Sequence, residues 1–148
     1  MLLQLILATA MVVLTAVAHA VGLGLLTVML RLHTRLFRHL RSMPMTLLLL
    51  AVLGIIAVHS AEIWFWAALY FFGLHAFAHF EEALYFSTVT YASIGYGDLL
   101  MMPRWRILAA IEGGAGIMMF GWSTAFVVSL LTQLKMLGHD WLRREHRD

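Results

Sequence analysis

The sequence predicts an all-α membrane protein: three transmembrane helices, with a further segment between the second and third that dips into the membrane and returns. Three observations carry this reading. Hydrophobic residues make up 62% of the chain and charged residues only 12%, against about half and about a quarter in soluble domains, an excess that needs an apolar solvent. Three long apolar runs are separated by one basic stretch and one polar stretch. The polar one, Ser93-Ile94-Gly95-Tyr96-Gly97-Asp98, puts two glycines, a hydroxyl and a carboxylate between apolar segments. Irregular backbone at membrane depth survives only when buried in protein or lining water. The stretch is therefore either an ordinary external turn or a working surface. A length of 148 residues fits about one domain. The absence of cysteine excludes disulfides, thiolate catalysis and cysteine-based metal sites.

The first helix is expected over residues 1–30. Leu2 to Leu30 carries no charge over about 29 residues, roughly 43 Å of helix and more than a bilayer needs. Ala18-His19-Ala20 has the small-x-small pattern of a signal-peptide cleavage site, but no basic region precedes the run, and it continues past Ala20. Residues 31–43 form a basic linker with Arg31, Arg35, Arg38 and Arg41 and no acid. Short basic loops stay cytoplasmic, which places the N-terminus outside and the C-terminus inside. Pro44 suits the first turn of a second helix running from about Met45 to Phe72. Its end, "WFWAALYFF", reads as an interfacial aromatic belt, and Gly73 breaks it. The segment from His75 to Ala92 is too short and mixed to span, with a helix expected from Phe80 to Tyr91. Pro103 opens a third helix to about Met136, followed by a short polar tail over 137–148.

The SIGYGD stretch has a physical use after a re-entrant helix. Backbone carbonyls aimed at an axis can replace the water shell of a potassium ion. Aiming successive carbonyls one way needs alternating torsions that glycine accepts at low cost, and Gly95 and Gly97 are two apart. The C-terminal end of the preceding helix carries partial negative charge, which attracts a cation.

Here the chain resembles the potassium channel family, whose filter reads Thr-Val-Gly-Tyr-Gly-Asp. The resemblance runs through "ALYFSTVTYASIGYGDLLMMPRWR" and "EGGAGIMMFGWSTAF" and covers roughly residues 44–135. It implies a pore module over 44–136, assembled as a homotetramer in a lipid bilayer, with potassium coordinated at Ser93, Ile94, Gly95 and Tyr96 and the filter extending to Gly97. It implies that Asp98 is braced by Tyr85, that Gly116 is a hinge with Gly121 a second small position, and that Ile117, Phe120, Thr124 and Val128 line the cavity and inner gate. The family carries a passive ion pathway, with no enzymatic activity, cofactor, nucleic acid or small-molecule substrate beyond permeant cations. The cell (inner) membrane is the implied location. Ser93 lacks the methyl of the family's threonine, and Ile94 is a methylene larger than the usual valine. A weakly selective cation channel and a non-conducting partner subunit remain as alternatives. So does a Gly-x-Gly-Asp intramembrane aspartyl protease, which needs two carboxyls sharing a proton, whereas the other aspartates, Asp140 and Asp148, sit in the tail.

Glu62 and Glu112 interrupt apolar runs, and acids within membrane segments are costly. Either each bonds nearby polar groups, with Ser87, Thr88 and Thr90 as candidates, or the two form a functional network behind the filter that can share a proton. Gly113 and Gly114 read as close-packing positions, and Met118 and Met119 as packing residues. His59 reads as interfacial decoration. The spacing of His75 and His79 puts both on one helical face at zinc-ligand distance, with no third ligand evident. Glu81 and Glu82 read as a negative outer mouth that concentrates cations.

Overall fold

The computed structural model describes residues 1–36 and 43–134. Its helices are α1 (Leu2–Leu36), α2 (Met43–Ala68), α3 (Phe80–Tyr91) and α4 (Arg106–Gln133). Three stretches are long and apolar enough to cross a membrane: Leu2–Arg35, Pro44–Gly73 and Pro103–Gln133. α3, at 12 residues, is not among them.

Two expected boundaries move. α1 does not end at Leu30 but continues through Arg31 and Arg35. Nothing in that extension breaks a helix, and basic side chains near a helix C-terminus suit its exposed carbonyls. Arg38 and Arg41 of the expected linker, and the tail with Lys135, Arg143, Arg144 and Arg147, lie outside the described residues. α2 passes from Ala68 into a π-helical turn, Leu69–Gly73, closed by the Leu74 N–H on the Leu69 carbonyl at 2.9 Å. The chain then reverses: the Ala76 N–H reaches the Tyr70 carbonyl at 2.9 Å, and His75 adopts φ 47°.

The aromatic run at the end of α2 is not a uniform interfacial belt. Trp64, Phe65 and Phe72 are exposed, but Trp66 and Tyr70, one turn apart, are fully buried. Each aims its polar tip at an inward partner. The Trp66 Nε1–H donates to Thr15 Oγ1 on α1 at 3.1 Å, and the Tyr70 hydroxyl donates to Glu112 Oε2 on α4 at 2.6 Å. Buried aromatics with polar atoms need such partners.

Two apolar clusters hold the bundle. One, with Ala8, Trp66, Tyr70, Phe86 and Leu108, joins all four helices near α3. The other, with Leu23, Leu26, Leu47 and Ala51, lies at the opposite ends of α1, α2 and α4. α3 starts with His79 as an extended cap (φ −126°). The Glu82 carboxylate accepts the Ala78 N–H at 3.2 Å and the His79 N–H at 3.4 Å, so it caps the helix.

Candidate functional site

The C-terminal end of α3 lies directly on α4. A Cβ added at Gly116 would stand 2.0 Å from the Tyr91 carbonyl oxygen, and one at Gly113 would stand 3.2 Å from the Thr90 carbonyl oxygen. Glycine is required where two backbones come this close. A Cβ at Gly114 meets nothing, so of the two expected packing positions only Gly113 makes a close contact. Met119 is buried as a packing residue would be, while Met118 is exposed.

Beyond Tyr91 the backbone is tied back to α3 by its N–H groups. The Ser93 N–H reaches the Thr90 carbonyl at 2.9 Å, and the Ile94 and Gly95 N–H groups share the Val89 carbonyl at 2.9 and 3.4 Å. The torsions then alternate. Ser93, Gly95 and Gly97 have φ of 56°, 62° and 79°, with Ile94 and Tyr96 on the ordinary side between them. Glycine takes the left-handed region freely; for Ser93 it costs about 1–2 kcal/mol. Among the described residues, no hydrogen bond reaches the carbonyl oxygens of residues 93–97. A Cβ at Gly95 or Gly97 would meet no atom within 4 Å, and Ile94 and Tyr96 are exposed. The segment leans on α3 on one side and is open on the other.

Asp98 follows. The Tyr85 hydroxyl donates to its Oδ2 at 2.6 Å, tying the far end of the segment to the first half of α3. That hydrogen bond holds the Asp98 carboxyl below the usual carboxylate range.

Glu62 and Glu112 are both fully buried, and each has its own partners. Glu112 accepts from the Tyr70 hydroxyl and lies 2.5 Å from Ser87 Oγ, which also stands 3.0 Å from the Ile63 carbonyl oxygen. Glu62 Oε1 is 2.9 Å from His19 Nδ1, and the Tyr91 hydroxyl donates to Glu62 Oε2. Of the partners expected from α3, Ser87 is present. Thr88 bonds instead to the Leu84 carbonyl within its own helix, and Tyr91 was missed. Among the described residues no hydrogen bond joins the two glutamates.

His59 is not interfacial decoration. It is buried, with Nδ1 3.1 Å from Tyr91 Oη and 3.3 Å from Glu62 Oε2, and Nε2 3.0 Å from Ser123 Oγ. Ser123 Oγ is also 3.3 Å from His19 Nε2. Side chains from all four helices thus meet at the end of α3. The donor atoms of His19, His59 and Glu62 lie within 4.8 Å of one another. His75 and His79 do not share a helical face: both precede α3, one in a turn with positive φ and the other as its extended cap.

On α4, Ile117, Phe120, Thr124 and Val128 are all exposed and follow helical spacing. Phe120 also rests against His59 and Tyr91, with ring centroids 4.6 and 5.7 Å away. α4 runs unbroken through Gly116 and Gly121.

An all-helical bundle with three helices able to cross a membrane, holding a short helix and a carbonyl-bearing loop between the last two, belongs to the class of membrane channels. Residues 45–133, more than half of the chain, match the ion channel family, and the chain belongs to it. α1 lies outside the matched region. No curated protein and no solved structure matches the chain.

Proposed function

We propose that the chain is one subunit of a homotetrameric potassium channel of the cell membrane, with its N-terminus outside and its C-terminus cytoplasmic. α3 is the re-entrant pore helix, and Ser93, Ile94, Gly95, Tyr96 and Gly97 are the selectivity filter. The observation that carries this is the alternation of φ at Ser93, Gly95 and Gly97, just past a helix C-terminus, with the carbonyl oxygens of 93–97 receiving no hydrogen bond among the described residues. Alternating torsions turn successive carbonyls toward one side, where they can take the place of an ion's water shell. One chain supplies one strand of such a ring, and the open side of the segment is where further copies complete it. Tyr85 with Asp98, and Glu112 and Glu62 through Ser87 and Tyr91, hold the filter from behind. Ile117, Phe120, Thr124 and Val128 line the cavity. Gly116 and Gly121 are the positions at which α4 bends if the gate moves. The peptidase reading is not proposed, because Asp98 is engaged by Tyr85 and has no second membrane aspartate.

The test is planar-bilayer recording of the purified protein under potassium and sodium gradients. The expected reversal potential follows potassium, and Gly95→Ala, strained at φ 62°, abolishes current while the protein still inserts. A reversal potential midway between the two ions marks a weakly selective cation channel. Selective potassium current through Gly95→Ala rejects the filter assignment.

A further inference from the structure

We propose that His19, His59 and Glu62, completed by Tyr91, form a binding site for one divalent transition-metal ion of the zinc class, which staples α1 to the channel module. The site is distinct from residues 93–97 and is independent of their role.

The donor atoms converge. Both histidines direct Nδ1 at the two oxygens of one carboxylate, at 2.9 and 3.3 Å. A tetrahedral zinc ion with ligands at its usual bond lengths needs them about 3.3 Å apart. Tyr91 Oη lies 3.1 Å from His59 Nδ1 and hydrogen-bonds Glu62, so an oxygen is at hand as the fourth ligand atom. Two imidazoles and two oxygens suit zinc, nickel, copper or iron better than magnesium or calcium.

A shared hydroxyl holds the two imidazoles. A histidine that binds metal through one nitrogen donates the N–H of the other to an acceptor that fixes its tautomer. Here both Nε2 atoms face the same oxygen, Ser123 Oγ, at 3.0 and 3.3 Å. A hydroxyl oxygen has two lone pairs and one proton. It can accept from two Nε2–H groups, leaving both Nδ1 lone pairs for an ion. It cannot donate to both Nε2 atoms at once, as two Nδ1–H tautomers would require. In the mixed state, with His19 Nδ1–H on Glu62 and His59 Nε2–H on Ser123, Ser123 is satisfied but His59 Nδ1 competes with Glu62 for the single Tyr91 proton; a metal ion gives both Nδ1 atoms a partner.

Glu62 is fully buried, and among the described residues its ion-pair partners are the two histidines alone, with no lysine or arginine. Unlike Glu112, which is held by hydroxyls alone, Glu62 faces two imidazoles, and a bound cation would offset the cost of burying its charge while both imidazoles stay neutral. The His59 side chain keeps 9% exposure and packs against Phe120 of α4.

The test uses the full chain, purified in detergent, stripped with a chelator, loaded with zinc chloride and dialysed. Elemental analysis should find one zinc per chain in the parent and in the His75→Gln/His79→Gln double variant, and at least about tenfold less in His19→Gln and Glu62→Gln. Ser123→Ala should keep the ligands but weaken zinc binding about 10–100-fold, the usual effect of losing the group that orients a metal-binding histidine. Cobalt(II) loaded into the parent should give the visible absorption of a four-coordinate nitrogen and oxygen site. That readout needs no variant, so it decides the matter even where a substitution prevents folding. A parent chain without the cobalt band, or zinc retained in full by folded His19→Gln and Glu62→Gln, overturns the proposal. A metal-loaded chain that selects no ion, or a selective channel that binds no metal, separates this site from the filter.

Discussion

At the scale of single residues, the structure turns on polar side chains placed where lipid or protein surrounds them. Tyr85 and Asp98 give a pH prediction. The tyrosine hydroxyl depresses the Asp98 pKa in the folded chain. The resulting stabilisation is fully present above the ordinary carboxylate value and is lost as pH falls through the depressed folded value. Tyr85→Phe should return Asp98 toward that ordinary value, so that acid inactivation begins at higher pH. An acid titration of current or of thermal stability that superimposes on the parent's refutes the link. Glu112 gives a second prediction. A glutamine there can donate to Ser87 Oγ, let Ser87 donate to the Ile63 carbonyl and still accept from Tyr70, so every contact survives. Glu112→Gln should unfold near the parent temperature. Glu112→Leu strands the buried Tyr70 hydroxyl and should cost about 1–3 kcal/mol in thermal or denaturant unfolding. Equal stability of the two variants removes Glu112 from the packing argument. Both glutamates were legible in the sequence, because an acid in an apolar run stands out. Their partners His19 and Tyr70 were not. One sits inside a small-x-small triplet and the other inside an aromatic run, and each meets its glutamate only through the register of helices 43 and 42 residues apart.

At the scale of elements, the start of the second and third helices and the extent of α3 follow from punctuation in the sequence. Pro44, Gly73 and Pro103 mark boundaries, and α3 occupies Phe80–Tyr91 as its pattern required. The π-helical turn at Leu69–Gly73 and the extension of α1 to Leu36 had no comparable signal, since both continue segments that already favour helix. The glycines of α4 show a similar limit. Sequence marks them as small, and only the packed structure says which one a neighbour presses on. At Gly116 the obstacle is the backbone of Tyr91, which cannot rotate away. Gly116→Ala should therefore force α3 from α4 and lower stability by about 1–3 kcal/mol, the usual cost of overpacking. Gly114→Ala, with open space at its Cβ, should leave thermal unfolding in detergent unchanged. If both variants melt with the parent, the close approach of the two helices is not a constraint.

At the scale of the molecule, the family match begins at residue 45, yet α1 is not a loose addition. It packs against both α2 and α4 and contributes His19 and Thr15 to buried polar contacts. One side of α4 is left free of this packing. Ile117, Phe120, Thr124 and Val128 are exposed there, and the proposed tetramer turns that side toward a central water-filled cavity. The same arrangement would turn the exposed face of α1, with Leu25, toward lipid. Both faces carry large exposed apolar side chains, so accessibility to water is what separates them, and the chain has no native cysteine to interfere. Cysteine placed at Thr124 or Val128 should react with a charged thiol reagent applied from the cytoplasmic side and lose most of its current. Cysteine at Leu25 should react slowly, because a thiolate does not form readily in hydrocarbon, and its current should persist. Modification at Thr124 and Val128 that leaves the current intact places the ion pathway elsewhere. Equal reaction rates at all three positions contradict the assignment of one face to water and the other to lipid.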